Sequence, residues 1–462
     1  MDIERRRATP VAVLALLAFG AIAAHHVYEM RDQGWSNMEF VAAGSFAWLC
    51  FTSLITYFRH GIAVAEPGTS AAATVDALRL TIVIPAHNED PVMLRAMLYS
   101  IGRQSRIPDR VHLVENGDPA RGYRPGLQHV FSDWAARHCP PGIDTAYTFN
   151  PVAGKREAQA VAVAADPAAD LFMTLDSDVE LADTAIAHGV APFADPAVTS
   201  VGGFLVGLNR TANWLTRLVE VPFACASLNG RVAQSLIGSV GVNSGALAFY
   251  RAHVVRVYMH HYLTHTVAGR RMASGDDAMM TRYALLEGRA VFQVNAWGYT
   301  LHPERLSHLS KQRLRWWRSF WWGNDWLLRT FRPTTPIWWL TACQLVQFAW
   351  MAFVLPAALV VYPVGSGTFP GGAIAWIVGI SYLSSARYLM LARPRDSFAS
   401  HVGSWLLSPA ATILNLYLSF ALSIVGLLTC FKTGWSSRET VEVGLTDTSS
   451  SESRTDDEQR LD

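Results

Sequence analysis

Residues 171–178 read Leu-Phe-Met-Thr-Leu-Asp-Ser-Asp, a short apolar run that ends in two carboxylates. Such a run is typical of a buried strand in a parallel sheet. Residues 80–85, Leu-Thr-Ile-Val-Ile-Pro, and residues 110–114, Arg-Val-His-Leu-Val, have the same character. Helical sequence follows the first of these runs over 91–104. Strands that alternate with helices predict an α/β domain whose ligands bind where the strands end.

Polar side chains follow the predicted strands directly. Asp176 and Asp178 come after the run at 171–175, and Glu115-Asn116-Gly117 follows the run at 110–114. Two carboxylates two positions apart at a strand end can face one hard cation, with a diphosphate completing its ligand shell. An ordinary Asp-rich turn is the alternative interpretation, since turns are rich in Asp.

The composition narrows the class of protein. Of the 462 residues, 51% are hydrophobic and 16% are charged, where an ordinary soluble protein has about 25% charged residues. Intrinsic disorder of the whole chain is excluded, because it needs low hydrophobicity and high net charge. A net charge of +1 argues against a basic nucleic-acid binder. The five cysteines form no CxxC pair, which indicates buried reduced thiols and neither a zinc site nor a disulfide framework.

The stretches that lack charged residues lie in two blocks of the chain, which we predict to be membrane-embedded. In the N-terminal block, residues 1–75, uncharged stretches at about 11–28 and 40–58 predict two transmembrane helices. Three arginines at 5–7 precede the first stretch and place the N-terminus in the cytoplasm. A cleaved signal peptide is the competing interpretation, but a second span directly behind the first favours an anchor.

The C-terminal membrane block covers residues 333–431. Spans are predicted near 336–362, 371–392 and 403–430, and the last stretch is long enough to fold as a hairpin bent near Pro409 or to re-enter. Arg387 is expected either to face the interior of the helix bundle or to snorkel to the interface.

Between and behind these blocks lie segments of other character. Residues 76–305 have ordinary polarity and contain the predicted α/β domain. Residues 306–332 are dense in Arg and Trp, which predicts an interfacial amphipathic helix. The tail at 441–462 is rich in Ser, Asp and Glu and is predicted to be disordered.

Gly275-Asp276-Asp277 opens a predicted helix over 278–287. Asp is favoured at a helix N-cap, so the pattern fits a purely structural role. It equally fits a general base that deprotonates an acceptor hydroxyl. One residue could serve both purposes.

Two basic segments could bind phosphate. Lys155 and Arg156 lie in a loop that leads into an Ala-rich helix, where a phosphate could meet the helix start; solvated loop charges are the alternative. Gln312-x-x-Arg315-Trp316 lies in the Arg- and Trp-rich segment. An Arg fork suits a diphosphate and a Trp ring suits a sugar face, although an aromatic belt explains most of the tryptophans.

In this order the motifs resemble those of the membrane-embedded processive family 2 glycosyltransferases, which include cellulose, chitin and hyaluronan synthases. The chain looks most like a hyaluronan synthase, on six stretches. These are 154–159 (GKREAQ) beside that family's GKRxAQ, 201–203 (VGG) with 208–209 (LN) beside VGG…LN, 243–251 (NSGALAFYR) beside CxSGPLxxYR, 274–277 (SGDD) with Thr281 beside GDDRxLT, 311–316 (KQRLRW) beside KQQxRW, and 433–438 (TGWSSR) beside WGTxGR. It departs from the family at Glu115-Asn116, where Asp-Asp is usual, and in lacking the Cys and Pro of CxSGP.

The resemblance implies a GT-A-type α/β domain, with a parallel or mixed sheet, inserted between transmembrane helices. It implies a plasma-membrane, multi-pass protein whose catalytic domain faces the cytoplasm. The implied reaction is an inverting transfer from UDP-sugar donors with Mg²⁺ or Mn²⁺ to a growing polysaccharide that is extruded through the bilayer. For a hyaluronan-like polymer the donors would be UDP-GlcNAc and UDP-GlcA. No nucleic-acid partner is implied, and the oligomeric state stays open.

The resemblance also implies roles for individual residues. Asp277 would be the general base, Asp178 would ligate the metal, and Asp176 would share the metal or contact the nucleotide. The other implied binding residues are Ala86, His87, Glu89 and Glu115 in the uridine pocket, Lys155 near the diphosphate, Gln312, Arg315 and Trp316 in an acceptor and diphosphate collar, and Trp435 and Arg438 in a gating loop at 432–440.

Several alternatives stay open. The chain could make a chitin-like or cellulose-like glycan, add single sugars, or act without catalysis as a scaffold or transporter in polysaccharide export. The intact carboxylates argue against the last of these. Two spans before the domain and three after it would leave the gating loop outside the cell, so we expect an even number of crossings and a cytoplasmic C-terminus.

Overall fold

The computed structural model describes residue 56 and residues 61–432, except 273, 357–359, 368, 370, 394 and 395. The stretches predicted as spans at 11–28 and 40–58 lie outside the described residues, apart from residue 56 itself. The same is true of Trp435, Arg438 and the tail at 441–462.

The strands of the described chain are β1 (Leu80–Ala86), β2 (Arg110–Asn116), β3 (Asp144–Asn150), β4 (Leu171–Leu175), β5 (Glu180–Leu181), β6 (Val198–Gly207), β7 (Leu247–Arg251), β8 (Thr266–Val267), β9 (Arg270–Arg271) and β10 (Arg289–Thr300).

Its α-helices are α1 (Ser70–Asp76), α2 (Pro91–Gly102), α3 (Gln128–Arg137), α4 (Lys155–Ala164), α5 (Ala185–Val190), α6 (Trp214–Cys225), α7 (Val232–Leu236), α8 (Ala252–Thr264), α9 (Asp276–Glu287), α10 (Leu306–Thr330), α11 (Pro336–Pro356), α12 (Tyr362–Ser366), α13 (Gly371–Ser385), α14 (Phe398–Leu406) and α15 (Ser408–Leu428).

Eight strands form one mixed sheet in the order β3-β2-β1-β4-β7-β6-β10-β5. The first four run parallel to one another, and so do β6 and β10. β7 runs antiparallel to both of its neighbours, and β5 runs antiparallel to β10. The three strands predicted from sequence are β1, β2 and β4, and each begins at its predicted residue. The prediction of an α/β domain with a parallel or mixed sheet is confirmed.

The central strands are buried because helices cover both faces of the sheet. Alternate side chains of β1 point to opposite faces. Ile82 and Ile84 pack in the cluster that contains Leu94 of α2, whereas Val83 packs in the cluster that contains Ala158 of α4 and helices α8 and α9. Burying one aliphatic side chain of this size contributes about 1.5–3 kcal/mol. The strand ends are therefore held by a continuous core.

Helix α10 docks on the α/β domain through two glycines. Gly275 has φ +72°, and a β-carbon there would lie 2.9 Å from Trp322 of α10. A β-carbon on Gly323 would overlap the guanidinium of Arg282, which donates to Asn324 Oδ1 at 3.0 Å. The turn before α9 is thereby pressed against the middle of α10.

Helix α15 packs along α10 in turn. Trp321 Nε1 donates to the carbonyl of Ser423 at 3.0 Å, and Arg318 Nε donates to Thr429 Oγ1 at 3.0 Å. The end of α15 is therefore held on the helix that carries the Gln-x-x-Arg-Trp motif.

The helices of the C-terminal block are shorter than the predicted spans. Of the stretch predicted at 336–362, α11 covers Pro336–Pro356, and residues 357–359 lie outside the described residues; α13 ends at 385, where a 3₁₀ turn over Ala386–Met390 takes its place. The stretch predicted at 403–430 breaks at Leu407 into α14 and α15, with Pro409 in the first turn of α15, where its missing N–H costs little. Among the described residues, α15 alone is long and apolar enough to cross a bilayer, by its length and composition.

Arg387 is 1% exposed and lies in the 3₁₀ turn that follows α13. Its guanidinium donates to the carbonyl of Leu228, in the π-helical turn Ala226–Arg231. The interior-facing alternative for Arg387 is confirmed, and the snorkelling alternative is wrong, because the π-helical turn offers a buried acceptor.

A buried charge cluster ties the α/β domain to the segment behind α13. Glu220 of α6 is fully buried and accepts from Arg393, from His302 Nε2 at 2.7 Å and from the backbone N–H of Gly207 at 2.9 Å. Burial, followed by the Arg313 charge, lowers the pKa of His302 to about 3. The neutral imidazole is thus the donor to Glu220, and Arg393 supplies the positive charge.

We expect Glu220→Ala to lower the free energy of unfolding by about 3 kcal/mol or more, because it leaves Arg393 buried without its carboxylate. Thermal unfolding of the full chain in detergent would measure the loss. The matched control is Arg103→Ala, which removes an exposed ion pair with Asp183 and should change stability by about 0.5 kcal/mol or less. Equal losses in both variants would contradict a structural role for the buried cluster.

Candidate active site

The predicted site residues lie along one edge of the sheet, because the parallel strands β1, β2 and β4 all end there. Ala86 is the buried last residue of β1, and His87 and Glu89 follow it, both half-buried. Glu115 is the next-to-last residue of β2, and Asp176 follows β4 directly. These side chains form two neighbouring parts of the edge, a charged cluster and an aromatic pocket.

The charged cluster is centred on the first residue of α4. Lys155 Nζ lies 2.6 Å from Asp176 Oδ1 and 3.4 Å from Asp276 Oδ2. Asp276 and Asp277 are the first two residues of α9, behind the left-handed Gly275. The positive end of the helix dipole favours carboxylates in that first turn. The N-cap of α9 is Gly275, and neither Asp occupies that position. The interpretation of this motif as an Asp N-cap is therefore wrong.

The two adjacent carboxylates differ in their affinity for a proton. Burial, and after it the negative charge of Asp276, raises the pKa of Asp277 above its usual value. Burial also pushes the pKa of Asp276 upward, but the charges of Lys155, Arg156 and Arg315 outweigh it and the pKa is lowered. Burial opposes the charged form of Lys155, yet the neighbouring carboxylates raise its pKa. Asp277 is therefore the better proton acceptor of the pair.

Two residues of this cluster have no role assigned by the sequence. A β-carbon on Gly245 would lie 3.3 Å from Asp277 Cβ, 3.4 Å from Asp276 Oδ2 and 3.6 Å from Lys155 Nζ. A glycine at such a place lets another group approach the backbone closely. Arg231, in the π-helical turn, lies near enough to favour the ionised form of Asp277. In the sequence, Gly245 is marked only as a glycine before an apolar run. Arg231 could not be predicted, because no local pattern marks a π-helical turn.

Hydrogen bonds hold the loop that carries Gly245 to the first turn of α9. The backbone N–H of Asn243 donates to Thr281 Oγ1 at 2.9 Å, and Thr281 Oγ1 donates to the carbonyl of Asp277 at 2.8 Å. Asn243 Nδ2 donates to Ser200 Oγ at 2.7 Å. The loop and Asp277 are thus held as one unit on β6.

Only one member of the predicted basic pair faces the site. Arg156 is 3% exposed, and its guanidinium donates to the carbonyls of Tyr262 at 2.8 Å and Ser274 at 2.9 Å. It braces the chain just before Gly275 and is not available to a phosphate. The expectation that both basic residues could meet phosphate is wrong for Arg156, because the helix turns its side chain inward.

Gln312, Arg315 and Trp316 are spaced by three and four residues on α10, so they share one face of the helix. Ser319 lies one turn further on that face, and its hydroxyl donates to Ser274 Oγ at 3.1 Å. The face therefore looks toward the turn that precedes Asp276 and Asp277. Trp316 is 41% exposed, which leaves much of its ring accessible.

The aromatic pocket surrounds a satisfied carboxylate. Glu115 is 1% exposed and accepts from four donors. These are the hydroxyls of Tyr123 at 2.8 Å and Tyr147 at 2.7 Å, and the backbone N–H groups of Gly126 at 2.8 Å and Leu127 at 3.1 Å. Glu115 is held rigidly at the bottom of the pocket.

Three nearly parallel rings lie in this part of the site, those of His87, Tyr123 and Phe149. His87 is oriented by a short hydrogen bond between Nδ1 and the carbonyl of Asn116. The Tyr123 ring stacks on His87 with centroids 4.9 Å apart and an interplanar angle of 16°. The Phe149 ring is nearly parallel to Tyr123, with centroids 6.1 Å apart and an interplanar angle of 7°. Tyr123 was not anticipated, because nothing in the loop sequence shows that its ring folds back.

The carboxylates at the end of β4 are the residues that could bind a divalent cation. Among the described residues, no group of three or more His, Cys, Asp and Glu side chains could hold a metal. Asp176 and Asp178 are both half-buried there, and Lys155 shows that Asp176 accommodates a positive charge. One or two carboxylates with phosphate oxygens and water suit Mg²⁺, so the residues present fit such an ion.

A family profile described as glycosyltransferase-like family 2 matches residues 78–319, which include the charged cluster, the aromatic pocket and the Gln-x-x-Arg-Trp motif of α10. The chain belongs to glycosyltransferase family 2. It is similar to hyaluronan synthase of Streptococcus pyogenes, at 29% identity over 371 residues, covering 79% of this chain and 84% of that one.

Two further relatives extend the comparison. An N-acetylglucosaminyltransferase of Rhizobium sp. (strain N33) is 31% identical over 279 residues, covering 58% of this chain and 60% of the relative. A solved mannosyltransferase from Pyrobaculum calidifontis, in complex with GDP-Man and Mn²⁺, matches with a TM-score of 0.53 at 17% identity. That match covers 89% of this chain and 99% of the other, and it shows that the two proteins share a fold.

Gly245→Val should reduce glycosyl transfer by about tenfold or more, because its branched side chain enters the space beside Asp277 and Lys155. Transfer would be measured with radiolabelled sugar nucleotides in purified membranes. Gly230→Ala is the control, since a β-carbon there meets nothing within 4 Å, and it should retain wild-type transfer. Full activity of the Gly245→Val protein would show that this face of the cluster is not used by a substrate.

Proposed function

We propose that this family 2 glycosyltransferase is a membrane-integrated, processive, inverting enzyme that builds a hyaluronan-like polysaccharide from UDP-GlcNAc and UDP-GlcA and extrudes it. The observation that carries the proposal is the convergence of Lys155, Asp176, Asp276 and Asp277 on one edge of the sheet, facing the α10 surface that bears Gln312, Arg315 and Trp316. The similarity to hyaluronan synthase over most of both chains supports the choice of polymer.

In the proposed reaction, the residues divide into a donor side and an acceptor side. The uridine would bind against Ala86, His87, Glu89 and Glu115. Lys155 would move from the carboxylates toward the diphosphate as that group binds. A cation between protein and leaving group stabilises the negative charge that develops there. Trp435 and Arg438, which lie outside the described residues, would close over the nucleotide.

Asp277 would take the proton of the acceptor hydroxyl. Its raised pKa suits a general base, because proton transfer is efficient when the pKa of the base approaches the working pH. Arg315 and Gln312 would hold the diphosphate and acceptor, and the Trp316 ring would carry the acceptor sugar. Attack opposite to the leaving group inverts the anomeric centre.

The residues that would hold Mg²⁺ or Mn²⁺ are Asp178 and Asp176. When bound, such a cation neutralises charge on the leaving diphosphate. The similarity in fold to a mannosyltransferase solved with Mn²⁺ supports this assignment.

The proposed membrane placement is supported by the outer face of α15. Ile413 is 58% exposed, Tyr417 66% and Leu428 67%, and together they form an apolar surface suited to lipid. The opposite face packs on α10, which would lie at the membrane interface with its tryptophans. Nucleotide sugars are cytosolic, so the α/β domain would face the cytoplasm from a multi-pass position in the plasma membrane.

Other functions make different demands on the same residues. A chitin-like or cellulose-like synthase, or an enzyme that adds single sugars, would use the same charged cluster with one donor. A catalytically inactive scaffold would not need Asp277 beside Lys155 or the glycine that opens the cluster to another group. Growing polysaccharide and lipid are therefore the partners we propose, and the oligomeric state is left open.

The donors can be tested directly in purified membranes supplied with Mg²⁺ or Mn²⁺. We expect labelled product of high molecular mass only when UDP-GlcNAc and UDP-GlcA are present together. Product from one donor alone would reject the hyaluronan assignment and favour another β-glycan. Incorporation of one sugar into short acceptors, with no long product, would reject processivity.

Asp277→Asn should abolish transfer while UDP binding persists, since it removes the base and leaves the donor pocket intact. In the wild-type protein, transfer should rise with pH as Asp277 loses its proton. The acid limb should begin above the range of an ordinary Asp, because burial and then Asp276 raise the pKa of Asp277.

Asp276→Asn should move this acid limb to lower pH, because it removes the neighbouring negative charge. The control is Asp183→Asn, a change to an exposed carboxylate that should leave the profile where it is. A limb that stays in place when Asp276 is changed would mean that a different group sets the pH dependence.

A further inference from the structure

We propose that Tyr123 occupies the nucleobase site of the donor pocket, and that an incoming nucleotide must displace it. The inference rests on the proposed function, because it takes the pocket beside His87 and Glu115 to be the place where the base of the donor binds.

The first support is the stacking geometry. The Tyr123 ring is nearly parallel to His87, at 4.9 Å and 16°, and to Phe149, at 6.1 Å and 7°. A flat ring stacked on aromatic neighbours is the arrangement that a nucleobase adopts on aromatic side chains. His87 is already oriented by the carbonyl of Asn116, so the platform does not depend on Tyr123.

The second support is the hydrogen bonding at the edge of the ring. The Tyr123 hydroxyl donates to Glu115 Oε1 at 2.8 Å, and the backbone N–H of Asn88 hydrogen-bonds to the same hydroxyl. Uracil offers a similar edge, because it has an N–H that could donate to Glu115 and, on either side of it, carbonyl oxygens that could accept from a backbone N–H. An ionised carboxylate only accepts, so a ring N–H, as in uracil or guanine, suits Glu115 better than the bare ring nitrogen of cytosine or adenine, which could donate only through their amino groups.

The third support is the backbone around Tyr123. A β-carbon on Gly117 would overlap the Tyr123 ring, so a glycine is what lets a flat ring lie directly on the chain at the end of β2. Gly122 has φ +88°, which only glycine adopts easily. Gly126 remains tied to Glu115 through its own N–H. The loop can therefore release Tyr123 while its far end stays in place.

A bound nucleobase would therefore replace both the stacking contacts and the Glu115 hydrogen bond that Tyr123 makes. If Tyr123 left an empty pocket, the buried Glu115 would lose a donor, which is unfavourable. A base that supplies its own N–H restores that bond and the stacking. The observed affinity for the nucleotide is then the intrinsic affinity multiplied by the fraction of molecules in which Tyr123 has left the pocket.

The test uses the full chain in detergent micelles with Mg²⁺, and UDP as the probe, titrated by calorimetry. Tyr123→Leu should bind UDP about tenfold more tightly than the wild type, because the pocket is no longer occupied. Tyr123→Phe keeps the ring but loses the Glu115 bond, so a smaller gain is expected. The matched control is Tyr147→Phe, which removes a hydrogen bond from the other Glu115 oxygen outside the stack and should not tighten binding.

A second readout uses the unmutated protein. Hydrogen exchange of the amides at 118 and 120–124 should increase when UDP binds, since the loop is released. If Tyr123 is instead a wall of the pocket, exchange should decrease and Tyr123→Leu should bind UDP more weakly. Weaker or unchanged binding by Tyr123→Leu, with normal UDP binding by the wild type, overturns the inference. Absence of UDP binding in the wild type and all variants overturns the proposed function, and the inference with it.

Discussion

The ammonium group of Lys155 joins two carboxylates that lie 100 positions apart in the chain. Asp176 ends a strand of the sheet and Asp276 begins a helix, and both are drawn to the same Nζ. Without that charge, neighbouring buried carboxylates would repel one another and resist ionisation. The first turn of α9, the loop before β7 and the helix α10 all pack around this contact, so the site is assembled when the pair forms.

Much of the fold was readable from local pattern. β1, β2 and β4 were predicted because each is a short apolar run closed by polar residues. β7 was not, since a run such as 247–251 carries no sign of its direction in the sheet. The charge-free stretches marked apolar helices but not their ends. Those ends depend on tertiary contacts, such as the buried carbonyl of Leu228 that receives Arg387.

The site residues were predictable where their position next to a strand or helix end indicates their chemical role. Asp176, Asp277 and Lys155 stand next to strand or helix ends, and the structure brings all three to one edge. Arg156 could not be separated from Lys155, because a helix start places adjacent side chains in different directions. Tyr123 was not predicted, and Gly245 stood in a quoted motif without a role, for a related reason: each reaches the site through a loop whose path no local rule determines.

The reversed direction of β7 has a consequence for how such a site can change. An antiparallel strand brings its beginning to the edge where its neighbour β4 finishes, so the segment at 239–246 enters the cleft from the opposite chain direction. Outside Asn243 and Gly245, which are fixed by Ser200, Thr281 and the charged cluster, changes in this segment would reach the cleft without altering the register of β4 and the carboxylates behind it. A single sheet thereby lets one side of the cleft change independently of the other.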